Sequence, residues 1–369
     1  TYGTAQETDH DYVGWSFRKA EKFFDVVHET VGSSGTVSHN LGSTPGMIIR
    51  KRVDDTQNWF VWHRRLTSGT LVYLDLNIAE DSSPGINTVT DSSFGHSGSA
   101  GEYVWYVFAH NAGGFGDDEN ESIITCGSYT GTGSSGLDVN LGWEPQYLLV
   151  KNVDNTDDWW VVDSMRGVTT GGNDPYLKPN KSDYEEGGQD TLTFGARGFT
   201  IETFGGMVNE SGSKYIYMAI RRPMKTPTEG TEVFAPTAYN GTEPTPQYLS
   251  TGFTVDFNLY KYRNLNIGAS AFDRLRGSNN ALTTSSSNAE EDISGNSASQ
   301  ILAKQFERND GFSVGTGANN AAPLVAYSFK RAPGFMDVVC FTGDSGNTNQ
   351  RVSHNLTVAP ELIIYKGRT

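Results

Sequence analysis

The chain has 369 residues, carries 28 Lys and Arg against 43 Asp and Glu for a formal charge of −15, and combines 42 Gly with 17 Tyr, 19 Phe and 7 Trp. That acidic balance speaks against a nucleic-acid partner, whose phosphates are bound by Lys and Arg, and no stretch reaches the roughly 18 consecutive apolar residues of a membrane-spanning helix. At roughly 100 to 200 residues per domain the length argues against one core, and aromatics beside Gly, Ser, Thr and Asn are the residues of short strands and tight turns.

Thr1 is followed by neither the basic nor the apolar stretch of a leader, as expected of a processed chain or of a window on a longer one. Tyr12-Val13-Gly14-Trp15-Ser16-Phe17 reads as an aromatic strand that closes a unit. Its exit, Phe17-Arg18-Lys19-Ala20 then Asp25-Val26-Val27, returns as Phe329-Lys330-Arg331-Ala332 and Asp337-Val338-Val339, 312 residues later (329 − 17).

Next, Gly35 to Arg50 (GTVSHNLGSTPGMIIR) sets out a polar turn, a strand, a Pro and an apolar run. The element recurs at Gly136 to Lys151 (GLDVNLGWEPQYLLVK) and at Arg351 to Lys366 (RVSHNLTVAPELIIYK), while Phe253 to Asn264 (FTVDFNLYKYRN) keeps the strand without the Asn-Leu and Pro. Strand runs follow at Met47-Ile48-Ile49, Trp59-Phe60-Val61-Trp62 and Leu71-Val72-Tyr73-Leu74. The polar turns Asp54-Asp55-Thr56-Gln57-Asn58 and Asp154-Asn155-Thr156-Asp157-Asp158, each leading into a Trp, are hairpin signatures. Behind the hairpins stand His63-Arg64-Arg65-Leu66, Asp163-Ser164-Met165-Arg166-Gly167 and Asp273-Arg274-Leu275-Arg276-Gly277. Closing strands are expected at Tyr103 to Phe108, Tyr215 to Ile220 and Leu324 to Phe329. No segment sustains the 3.6-residue period of an amphipathic helix.

These recurrences predict an all-β fold of tandem antiparallel β-sandwich repeats of about 100–110 residues, with partial repeats at both ends. The divisions are 1–24, the end of a preceding repeat; 25–116, 117–226 and 227–333, three whole repeats; and 334–369, the start of a further one. Partial sandwiches expose strand edges, so either more chain or strand addition between molecules is expected to cover them.

No G-x-S-x-G, H-E-x-x-H or C-x-x-C is present, and a non-enzyme is expected, with no catalytic, cofactor-binding or metal residue assigned and the ligand-binding residues left open. His39 and His354 sit at turns where the ring can bond the local backbone. Cys126 and Cys340 read as equivalent small core positions rather than a bridge. Glu185-Glu186 and Glu290-Glu291 read as solvated loop charge rather than the acid pair of a glycosidase. Asp117-Asp118-Glu119-Asn120-Glu121 offers oxygen ligands of the kind Ca²⁺ accepts but reads as linker. A metal site shared by the hairpin turns is disfavoured, because Gln57-Asn58 replaces Asp157-Asp158. Trp59, Trp62, Trp159 and Trp160 have faces suited to sugar rings but read as core, and ligand contact is expected in the polar loops Ser92 to Gly101 and Asn279 to Ser299.

Ser38 to Gly42, Pro45, Met47 to Ile49 and Asp55 to Trp62 together resemble tandem modules of long tail-fibre-like proteins of marine bacteriophages. The likeness recurs at Asp138 to Trp160 and Ser353 to Tyr365, with Gly127 to Gly133 as a further lead-in, so it spans most of the chain; the third repeat departs from it. The resemblance implies a viral structural protein on the virion exterior, a homo-oligomer with a trimer favoured, touching other virion proteins and presenting or supporting attachment to a cell-surface glycan. It brings no catalytic residues. Two alternatives stand beside it: a secreted bacterial adhesin or filament subunit polymerising by strand complementation, and a carbohydrate-binding or carbohydrate-active module, which predicts an exposed Trp row beside two acids.

Overall fold

The computed structural model describes residues 12–83, 85–203, 205–242, 247–293, 306–315, 322–343, 346 and 349–368. The first group of strands is β1 (Phe24–Val31), β2 (Ser34–Ser38), β3 (Met47–Arg52), β4 (Phe60–His63), β5 (Val72–Tyr73), β6 (Ile86–Asn87), β7 (Ser93–Ser97) and β8 (Gly101–Phe108). A second comprises β9 (Ile124–Thr130), β10 (Leu137–Asn140), β11 (Pro145–Asn152), β12 (Trp160–Asp163), β13 (Leu192–Gly195), β14 (Gly198–Ile201) and β15 (Lys214–Arg221). The third comprises β16 (Phe234–Asn240), β17 (Gln247–Ser250), β18 (Phe257–Tyr262), β19 (Ser270–Asp273), β20 (Asn280–Thr283), β21 (Glu291–Asp292), β22 (Gly311–Val314) and β23 (Pro323–Phe329). The helical element among the described residues is a 3₁₀ turn at Gly230–Glu232, and none of their helices is long and apolar enough to cross a membrane. The all-β, antiparallel expectation holds.

The strands pair in large sheets β1-β8-β3-β4-β5, β9-β15-β11-β12 and β16-β23-β18-β19-β20-β21, and in small sheets β2-β7-β6, β10-β14-β13 and β17-β22. In each group, called units 1, 2 and 3 below, the last strand runs between the first and the third, and the large and small sheets enclose a core. The two-residue period of a strand decides which side chains enter it. On β8, Tyr103, Trp105 and Val107 point inward, and the Trp105 ring lies 6.1 Å from Phe94 of β7. Val104, Tyr106 and Phe108 fall on the opposite, outer face of the large sheet.

Local hydrogen bonding agrees between units down to single atoms. The Asp163 carboxylate accepts the N–H groups of Met165 and Arg166 and pairs with Arg166 Nε at 2.7 Å. Asp273 accepts the Arg276 N–H and pairs with Arg276 Nε at 2.5 Å. Both guanidinium groups reach on to a strand carbonyl, Val161 or Ala271, and to a glutamate, Glu185 or Glu290. Near the ends, Asp25 accepts from the N–H of Val26 and of Asn40 and pairs with Lys19, while Asp337 accepts from Val338 and Asn355 and pairs with Arg331.

Three expectations are corrected. Tyr12 to Phe17 forms no strand; Trp15 instead stands edge-on to Tyr147 and donates to Asp163 at 3.1 Å, and Phe17 packs on Phe24 and Phe108. Leu362 to Tyr365 is likewise unpaired and 71–86% exposed. A ladder needs a neighbouring strand, and the described residues supply none to either segment. Ser92 to Gly101 is not a loop, because it contains the whole of β7, which pairs with β2 and buries Phe94 and His96; its alternation is hidden among Gly and Ser. Asn279 to Ser299 contains β20 and β21, and its residues 294–299 lie outside the described ones. The cysteines are both free and stand two positions out of step: Cys126 takes the place of Val26 in the ladder, whereas Cys340, three residues after Asp337, matches His28, three after Asp25.

Candidate functional site

The chemistry of this chain is concentrated where units meet. Met47, Ile49, Val61 and His63 lie on the outer face of unit 1's large sheet; on unit 2, Leu149, Trp159, Val161, Met218 and Ile220 lie on the outer face of the corresponding sheet. Apart from His63, these residues form one apolar cluster together with the interior of unit 1. Polar groups tie the contact down. Trp159 Nε1 donates to the carbonyl oxygen of Tyr73 at 2.6 Å, and the Glu80 N–H donates to the carbonyl of Val153 at 2.8 Å. Lys151 is buried with its ammonium on the carbonyls of Asn77 and Asn152, and burial lowers its pKa to about 8 against the pull of Asp157 and Asp158.

His63 is enclosed at the same junction. Its Nδ1 accepts the Arg65 N–H and its Nε2 donates to the carbonyl of Tyr217, each at 3.2 Å, which fixes the neutral tautomer with the proton on Nε2. Burial pushes its pKa down to about 3; the Tyr217 bond opposes the shift, and Arg64, His110 and Arg65 add to it. His110 is pushed down to about 4 by burial and by Arg64 and Arg65, and its Nδ1 accepts the Cys126 N–H. Gly46 fits between these groups because it has no side chain: a Cβ there would lie 2.7 Å from the Cβ atoms of Cys126 and His110.

The junction of units 2 and 3 is ionic instead. Asp256, 2% exposed, accepts from Arg274 Nε at 3.1 Å, Arg222 Nη1 at 3.2 Å and the Arg331 N–H at 2.8 Å. Arg331 places both terminal nitrogens on Glu144, at 2.8 and 2.7 Å, and its Nε on Asp337 at 2.6 Å. Burial works against the Arg331 charge, but Glu144 and Asp337 outweigh it and raise the pKa; burial likewise opposes ionisation of Asp256, and Arg222, Arg274 and Arg331 outweigh it and lower the pKa. Three guanidinium groups thus face three carboxylates, a balance that burial demands.

Beyond the part of unit 1's outer face that unit 2 covers, Phe17, Phe24, Val26, Ile49, Trp59, Leu74, Tyr106 and Phe108 line a groove of about 380 Å³. Sequence reasoning missed it, although Met47-Ile48-Ile49 and Tyr103 to Phe108 are apolar on both strand faces, a sign of sheets covered on both sides.

The sequence-derived candidates scatter. Trp159 and Trp160 are each 1% exposed, Trp59 and Trp62 are half-buried, and the exposed Trp row of a sugar platform does not form. His39 and His354 each accept the N–H two residues on, from Leu41 and Leu356 at 3.2 Å, as turn chemistry implies. Glu290 is not solvated loop charge but a largely enclosed partner of Arg276 and Arg368, while Glu185 and Glu186 pair with Arg166 and Lys178. In the hairpin turn, Asp154 accepts the Lys214 N–H, Asp157 accepts from Asn152 and Asp158 from Asn180. Of the junction acids, Glu121 pairs with Arg221, and no cluster suited to a metal ion occurs among the described residues.

Fold and junctions together define an all-β protein of antiparallel sandwiches joined through buried interfaces. The chain belongs to the family described as a domain of unknown function, DUF7483, whose model matches residues 6–223 and 229–369. Neither the curated proteins nor the solved structures contain a match to it.

Proposed function

We propose that this chain is a non-enzymatic structural protein: a rod of tandem β-sandwich modules in a bacteriophage tail fibre or similar virion surface appendage, supporting or presenting attachment to a host-surface glycan. The observation that carries the reading is the apolar cluster that runs unbroken from the core of unit 1 into the outer face of unit 2, locked by Trp159 on Tyr73 and His63 on Tyr217. Linked domains move relative to one another unless their interface is large and hydrophobic. An interface built this way makes two modules one stiff body, as a spacer requires. The viral setting is supported by the sequence motifs at Ser38 to Trp62, Asp138 to Trp160 and Ser353 to Tyr365.

Gold-labelled antibody against this chain, applied to purified particles from the source culture, tests the reading. Label along a fibre or surface projection is expected. Label that stays with cell surfaces and never decorates particles overturns the viral setting.

A further inference from the structure

The three large sheets present the same kind of outer face, and among the described residues the face of unit 2 is the most fully covered. In the ladders, Phe24 stands opposite Phe108 and Ile49 opposite Tyr106 in unit 1; Ile124 opposite Ile220 and Leu149 opposite Met218 in unit 2; Phe234 opposite Phe329 and Leu259 opposite Tyr327 in unit 3. A lysine follows two residues on in each third strand, Lys51, Lys151 and Lys261. In unit 2 the whole set lies under unit 1: Ile124, Leu149, Lys151, Trp159, Met218 and Ile220 are all 8% exposed or less. In unit 1, Phe24, Ile49 and Phe108 are also 8% exposed or less, but Trp59 and Tyr106 are only half-buried, and together they line the groove of about 380 Å³. In unit 3, Phe234, Leu259 and Phe329 are half-buried and Tyr327 is 37% exposed, while Phe335, which follows the last strand and stacks on Phe329, is 40% exposed. Leu265 and Ile267, in the hairpin turn beside this face, are 41% and 47% exposed.

We infer that the unit 1 groove receives the aromatic outer face of unit 3 from a second copy of this chain. The contact between units 1 and 2 is the precedent: the outer face of one large sheet seats on the outer face of another, and buries Lys151, Trp159 and Met218, whose counterparts Lys51, Trp59 and Tyr106 in unit 1 are half-buried, as is Lys261 in unit 3, where Tyr327 is exposed. The unit 1 face is a groove and the unit 3 face carries exposed aromatic and aliphatic side chains, so the first can receive the second. Lys51 and Lys261 turn back onto carbonyls of their own hairpins, Gln57 and Ile267, whereas the docked Lys151 reaches across to Asn77. The seated lysines therefore have a donor to hand over. Groove and ridge are different surfaces, so the contact is heterologous and propagates into a closed ring or a fibre.

The inference rests on the reading of this chain as an assembly protein, and it fails separately from it. Sedimentation velocity on the 369-residue chain is expected to show concentration-dependent association. Tyr106→Arg in the groove and Tyr327→Arg on the ridge should each reduce the chain to monomer with its thermal transition retained. Mixed one to one, the two variants keep one intact groove and one intact ridge, and they should form a complex of twice 40.2 kDa and nothing larger. Because Tyr106 is half-buried, Val26→Lys on β1 repeats the test at the groove rim. A wild-type chain that stays monomeric overturns the inference even where antibody decorates virions. So does a Tyr327→Arg chain that still self-associates, or a mixture that stays monomeric.

Discussion

Trp159 donates its indole N–H to the main-chain carbonyl of Tyr73 at 2.6 Å, binding unit 2 to the fifth strand of unit 1. Trp59 holds the corresponding place in unit 1, where it stacks on Tyr106 at 6.2 Å and lines the groove. One residue type at one ladder position thus has two roles, set by what lies above it. Trp159→Phe leaves the Tyr73 carbonyl with only a 3.4 Å bond from Leu76. Losing a buried hydrogen-bond partner and ring volume is expected to cost about 2–4 kcal/mol. Trp59→Phe, at a half-open site, should cost under about 1 kcal/mol. Urea unfolding of both variants checks the difference, and equal losses would show that the Tyr73 bond contributes nothing.

Arg331 is the shared cation of Glu144 and Asp337, and both acids are nearly enclosed. Arg331→Met leaves two buried carboxylates against fewer positive charges, which is expected to cost about 3–5 kcal/mol. Arg331→Lys should recover little, because a single ammonium cannot form the two-pronged contact with Glu144 and still reach Asp337. A lysine variant as stable as wild type in urea would show that charge alone, not the fork, holds the junction.

How much of this was readable from residue order depends on the range of the interaction. The strand pattern of β3, β4 and β8 was visible because alternation and turn residues are local signals. The Asp163–Arg166 and Asp273–Arg276 pairs were visible only as a recurring motif; three-residue spacing suggested kinship, not an ion pair. Strand β7 escaped because Phe94 and His96 are its only large inward residues, set among Ser and Gly. Which outer face is covered was not legible at all. Trp159 and Trp59 hold equivalent positions behind their hairpin turns, and only the placing of one sheet on another buries the first while the second stays half-buried. Glu144 and Arg331 are 187 residues apart, beyond any sequence window.

Gly46 lies where unit 1 meets β9. Its backbone is not in the left-handed region, so space rather than conformation excludes a side chain there. Gly46→Ala forces its methyl against Cys126 and His110 and is expected to destabilise by about 1–3 kcal/mol through overpacking. Gly35→Ala, on β2 with nothing within 4 Å of a new Cβ, should change stability by a few tenths of a kcal/mol at most. Thermal unfolding of the two variants side by side separates the steric effect from a general intolerance of glycine replacement.

His63 makes the junction of units 1 and 2 sensitive to acid. Its pKa of about 3 in the folded chain lies below the ordinary value of 6.5, so between those limits the unfolded chain holds a proton that the folded chain does not. The stability linked to this group is complete above pH 6.5 and is lost as pH falls toward 3, at about 1.4 kcal/mol per pH unit. His110, lowered to about 4, acts in the same direction over a narrower window. His63→Gln retains an amide N–H for the Tyr217 carbonyl and cannot take up the proton. Across pH 6.5 to 4.5, urea midpoints of wild type should fall more steeply than those of His63→Gln, the two stability curves converging by about 1.4 kcal/mol per unit. Parallel curves would mean that His63 takes up its proton inside the folded junction, and that the Nε2–H tautomer donating to Tyr217 is not what keeps it neutral.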